Sequence, residues 1–234
     1  MNRFDAYFQK YDFGKWLSEL KKISKKHRDF PFYRAPQAII SALSQSLPLI
    51  VISILFDAGI VGQFALAITV LSLPVNFIGA AVTQVVYPIV NDAFKAGKKI
   101  SNDVIRITFL MGLVGVPFFA LVAALGEQIF QLVFGENWAL AGKFSQWLAL
   151  FMLTDFISRP SIAVIPVLNR QRGLLVFEAG FFAIKSAVLF IAHYLGFSPV
   201  MFVAVYSIAC AAVASSQIFW AIKASYSSNF SCFK

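Results

Sequence analysis

The chain is predicted to be an all-α membrane protein, a bundle of six transmembrane helices preceded by an amphipathic, basic segment. Three observations predict this. First, 59% of the 234 residues are hydrophobic and only 13% are charged, with mean hydropathy +0.75. Soluble domains are roughly 45–50% apolar and about 25% charged, and one core of this size cannot hide the excess. Second, the apolar residues fall in runs long enough to cross a hydrocarbon layer of about 30 Å as helices. The short alternating segments of a barrel are missing. Third, the cations gather in alternate connections, the pattern of the positive-inside rule. That pattern accounts for the net charge of +9 better than a nucleic-acid partner does, since a nucleic-acid footprint is a patch on one face.

Residues 1–35 form the first unit. Lys21, Lys22, Lys25, Lys26, Arg28 and Arg34 crowd its end, while Phe4, Phe8, Tyr11, Trp16, Leu20 and Ile23 recur at helical intervals. This is either an interfacial helix with aromatics down and lysines out or a solvated linker helix packed on the bundle. The six-helix unit is expected over residues 36–224, with spans at about 36–56, 60–92, 103–125, 138–168, 173–195 and 199–222. Residues 225–234 form a tail.

Pro36 suits the first turn of the first span. The second span is longer than the bilayer needs, so it must tilt, bend or protrude. Pro74 removes a backbone bond within it and is the hinge candidate. After the third span, residues 129–134 are apolar but too short to cross, and read as a separate interfacial helix. With six crossings, residues 1–35, Lys95, Lys98, Lys99, Arg170, Arg172 and Lys223 all fall on one side, expected to be the cytoplasm, with both termini. Lys143 alone falls on the other side.

Two features sit where lipid would want none. Gln37, Ser41, Ser44, Gln45 and Pro48 share one face of the first span; Thr69, Ser72, Asn76, Gly79 and Thr83 share one face of the second. Such stripes either cement helices or line a wet path. Asp155 and Arg159 lie four apart within the fourth span, and Glu178 and Lys185 lie seven apart, about 10 Å, on the fifth. Charges at this depth face a cavity or one another. Asp155 and Arg159 make either a self-neutralising packing pair or a lining that meets a charged substrate. Lys185 is open to the same two readings. Glu178 is close enough to the basic end to reach the interface, and Arg106 to snorkel there.

The remaining chemistry is thin. His27, His193, Cys210 and Cys232 have no ligand spacing or disulfide pattern. No phosphate loop or nucleophile elbow is present. Neither enzymatic activity, a metal nor a cofactor is expected.

Several stretches carry a family resemblance. They are Asp29-Phe30-Pro31-Phe32-Tyr33-Arg34-Ala35-Pro36, Ser44-Gln45-Ser46-Leu47-Pro48, Val61-Gly62-Gln63-Phe64-Ala65-Leu66-Ala67, Leu73-Pro74, Ile78-Gly79-Ala80-Ala81 and Val85-Val86-Tyr87-Pro88. Phe134-Gly135-Glu136-Asn137-Trp138-Ala139, Ala141-Gly142 and the run from Pro160 to Leu168-Asn169-Arg170-Gln171 continue it. In order and spacing these resemble the Wzx-type flippases of the multidrug/oligosaccharidyl-lipid/polysaccharide (MOP) exporter superfamily, which serve lipopolysaccharide, O-antigen and capsule production. The resemblance covers about residues 20–220 and matches the second of the family's two six-helix lobes. It implies a bacterial cytoplasmic (inner) membrane protein. The implied substrate is a polyprenyl-diphosphate-linked oligosaccharide, moved by alternating access, with membrane lipid as the other partner. Carried onto this chain, Arg159 and Lys185 would meet the anionic head, with Asp155, Gln45, Ser41, Ser72 and Asn76 as polar lining. One lobe is half a path. The chain is therefore expected to act as a homodimer or with a separately encoded first lobe, or else to be an inactive truncated lobe or a structural subunit.

Overall fold

The computed structural model describes residues 29–96, 100–165, 167–168 and 171–228. Residues 1–28, which hold most of the expected amphipathic segment, and 229–234 of the tail lie outside them. The described chain forms six long α-helices: α1 (Asp29–Leu55), α2 (Ala58–Lys95), α3 (Ser101–Phe134), α4 (Ala139–Val164), α5 (Gln171–Tyr194) and α6 (Pro199–Ser228). A single 3₁₀ turn, Glu136–Trp138, leads into α4. All six helices contain a stretch long and apolar enough to cross a membrane. Many large apolar side chains point outward, among them Phe77 (75% exposed) and Leu132 (87% exposed). In water so much exposed apolar surface would drive association; in lipid it is the outer wall.

α4 is the axis of the bundle. It packs against α2, α3 and α6, while α1 packs chiefly on α5 and α5 on α6. Half of the α4 apolar window is buried and 44% of that of α6, against 17% in α1 and α5. The two interior helices are rich in small residues. In α6, Ala204, Ser207, Ala211, Ala214 and Ala221 are all buried, and such residues let helix backbones approach closely within a membrane.

The third helix corrects an expectation. It does not end at residue 125 with a separate interfacial helix after it; α3 runs unbroken from Ser101 to Phe134. The reason is packing. Gly126 is buried, and a Cβ there would meet Ser145 Oγ at 2.5 Å. Reciprocally, a Cβ on Gly142 would lie 2.5 Å from Glu127 Cα. Gly126 is thus a seat for α4 rather than a breaker. The helix stops at Gly135, whose φ of 97° only glycine adopts easily. Glu127, which looks from sequence like part of a polar loop, pairs with Lys143 at 3.4 Å across α3 and α4. The start of α1 also differs: the helix begins at Asp29 and carries Pro36 inside it.

Two stretches that carried the family resemblance meet in space. The Gln63 side-chain amide donates to the Asn137 carbonyl at 2.6 Å, and its oxygen accepts from the Ala141 N–H at 2.9 Å. The second bond satisfies one of the unpaired donors at the α4 N-terminus. This clamp lies at the bundle end that holds the Asp57, Gly135 and Gly196 turns. Apolar packing fills that half, including edge-on ring pairs Phe64–Phe144 and Phe56–Phe202. A smaller cluster of Val86, Val90, Ile100, Val104 and Val164 ties α2, α3 and α4 at the opposite end.

Candidate functional site

Between the α1–α5 pair and the α2–α4–α6 group lies a cavity of about 560 Å³. Its lining comes from residues 37–45 of α1, 68–87 of α2, 151–163 of α4 and 174–185 of α5, and from Tyr206 and Gln217 of α6. Adjacent helices run in opposite directions, so these positions extend from the middle of the bundle into one half of it. It is the half that carries the 96–100 and 165–170 connections. The partition follows from the fold: α1 and α2 are joined by a tight turn yet touch little along their lengths, and the polar stripe of each faces the gap.

Asp155, Arg159, Lys185, Gln45, Ser41, Ser72 and Asn76 all border this one cavity. Pro74 does not; it sits within the unbroken α2. Arg159 donates from Nη2 to Asp155 Oδ2 at 2.6 Å, one turn back on α4. Its stem lies over Gly79 of α2, where a Cβ would come within 3.1 Å of Arg159 Cγ. Gly79 is therefore the floor on which the arginine rests, and the Gly79 carbonyl is occupied by Thr83 Oγ1 at 2.8 Å. Arg159 Nε is buried with no acceptor.

Lys185 is held differently. It is 4% exposed, and its ammonium lies 4.1 Å from the Phe181 ring centroid and 5.4 Å from that of Phe151. No carboxylate of the described residues lies within ion-pair distance of it. Asp155 and Glu178 both act on it electrostatically, from farther away. Two aromatic faces substitute for a counter-ion. Ser44, also on the cavity wall, has a buried hydroxyl with no partner. Gln45 reaches only Ser41, at 3.4 Å. Buried polar groups are ordinarily paired, yet among the described residues this cavity is bordered by an unpaired guanidinium nitrogen, an unpaired hydroxyl and a lysine without a carboxylate at ion-pair distance.

Sequence reasoning placed Glu178 near the interface; it lines the cavity. It also passed over Phe151, Phe181, Tyr206 and Gln217. The signal for Phe181 was available, one helical turn before Lys185. The others depend on which helices meet. Among the described residues no group of three or more His, Cys, Asp or Glu could hold a metal ion.

Comparison with known proteins gives the chain its context. The family model described as "Polysaccharide biosynthesis protein" matches residues 21–143, more than half of the chain. The Bacillus subtilis (strain 168) "Teichuronic acid biosynthesis protein TuaB" is 25% identical over 168 residues, which cover 70% of this chain and 34% of that protein. The chain thus spans about a third of the length of the relative it matches. No solved structure matches it. With six membrane-length helices, a polar cavity between them and this family match, the chain is a multi-pass membrane protein that belongs to the polysaccharide biosynthesis family, in agreement with its resemblance to a Wzx-type lobe.

Proposed function

We propose that this protein forms one half of a translocation path for a polyprenyl-diphosphate-linked oligosaccharide, in the cytoplasmic membrane of a bacterium. The observation that carries the reading is the cavity: two cations and two donors without acceptors among the described residues, at membrane depth, reaching from the middle of the bundle into the half that bears the basic connections. A diphosphate supplies strong acceptors, and charge-assisted hydrogen bonds to it are about twice as strong as neutral ones. The sugar hydroxyls suit Gln45, Ser41, Ser72 and Asn76.

The basic end faces the cytoplasm, with both termini, so the cavity receives its substrate from the inner leaflet. The second half of the path is another copy of this chain or a separately encoded lobe, and alternating access moves the two halves against each other, with Pro74 as a flexing point in α2. The test is rescue of polysaccharide export in a strain lacking its own flippase, with the chain expressed alone and with a first-lobe partner. Export is expected in at least one arrangement. Arg159→Ala and Lys185→Ala should each lower it about tenfold or more, the scale of a lost hydrogen bond to a charged group, at unchanged protein level. Abundant protein without rescue in either arrangement would favour a structural subunit.

A further inference from the structure

The cavity charges balance before any ligand arrives. Arg159 and Lys185 are positive; Asp155 and Glu178 are negative. Asp155 is committed to Arg159 at 2.6 Å. Glu178 has no hydrogen bond or ion pair to any described residue, and the charges that act on it are those of Lys185 and Asp155. The other groups around it are soon named. On α6, Tyr206 lines the cavity and Cys210 is fully buried. Tyr87 lines the cavity from α2, and the described α1 side chains there are Gln37, Ser41, Ser44 and Gln45, none of them titratable. Arg172, at the start of α5, is exposed and already partnered.

An anion that docks on Lys185 and Arg159 therefore enters the field of one unpaired carboxylate. In a medium of low dielectric the two negative charges repel strongly. The repulsion is removed if the carboxylate takes a proton. We propose that Glu178 is the proton-binding residue of this cavity, and that binding of an anionic lipid headgroup is coupled to uptake of one proton on its carboxylate. The proton comes from water at the cavity mouth; no covalent bond to the ligand forms or breaks. Protonated Glu178 keeps a donor and an acceptor in the cavity, and the ligand charge is left facing Lys185 and Arg159. This inference rests on the reading of the cavity as an anion site and adds to it a proton and the residue that holds it.

The probe is farnesyl diphosphate, titrated into the full chain in detergent or nanodiscs. At about pH 8 to 9 its phosphates are fully ionised, since phosphate second ionisations lie near pH 6. Affinity for the wild-type chain should fall about tenfold per pH unit across this range, by proton linkage. Calorimetry in buffers of different ionisation enthalpy should register about one proton taken up per ligand. Glu178→Gln, of the same shape, should bind tighter than wild type at about pH 8 and lose both the slope and the proton uptake. A slope that survives in Glu178→Gln would place the proton on another group, Lys185 first, and overturn the inference. Binding by wild type without proton uptake would overturn it while leaving the anion site standing. No binding by wild type would remove the anion reading itself, and the inference with it.

Discussion

At the Asp57 and Gly135 end of the bundle, the Gln63 amide donates to the 3₁₀ turn and accepts from α4, Lys143 meets a carboxylate at 3.4 Å, and Gly142 lies against the backbone of α3. In the cavity half the same residue types are used otherwise. Gln45 makes one long bond to its own helix, Lys185 rests on aromatic rings, and Gly79 touches only the stem of Arg159. The first group is paired within the protein, although Ser207 of α6 is buried without a partner among the described residues, while Ser44 and Arg159 Nε on the cavity side are unpaired among them. Unpaired donors at membrane depth cost stability, and under the proposed function the contrast marks where the fold gives up stability for binding.

Three comparisons of substitutions test that contrast, beginning with the largest effect on stability. Gly142→Ala gains about 1 kcal/mol of helix propensity but overpacks the α3–α4 contact, which costs about 1–3 kcal/mol. A backbone atom 2.5 Å away cannot step aside, so a net loss of about 2 kcal/mol is expected by denaturant unfolding in detergent. Gly79→Ala should cost much less, because an arginine stem can move. Equal losses at the two glycines would break the comparison.

Gln63→Ala removes both bonds of the clamp. A loss of about 1 kcal/mol is expected in the same assay, given the modest worth of hydrogen bonds in membrane proteins. Gln45→Ala should leave stability unchanged within error. If Gln45→Ala is the more damaging of the two, Gln45 is structural cement rather than cavity lining.

The smallest effect belongs to Lys143→Ala. Its pair with Glu127 is 48% and 32% exposed, so a few tenths of a kcal/mol is the expected scale, with export unchanged. A Lys143→Ala variant that loses export as Lys185→Ala does would show that the two lysines are not distinguished by their surroundings after all.

The parts of this structure legible in the sequence are those governed by neighbours along the chain. The six apolar stretches announce themselves by length, and the stripes of α1 and α2 by three- and four-residue spacing. The Asp155–Arg159 pair follows from a four-residue step on one helix. What was not legible depends on partners far away. Gly126 reads as a helix end until Gly142 is placed beside it. Glu178 reads as an interfacial residue until α1, α4 and α6 enclose it. Gln63 is a generic polar residue until the 3₁₀ turn before α4 arrives at its side chain. Periodicity shows which face of a helix is polar, but not which helix that face will meet.

The sparse contact between α1 and α2 has a consequence for biogenesis. Two helices joined by a tight turn ordinarily enter a membrane as a hairpin and stay paired. Here α1 finds its principal partner in α5, which the ribosome completes only after α2, α3 and α4. At typical synthesis rates that delay is on the order of ten seconds. Throughout it, α1 is held only by its sparse contacts with α2.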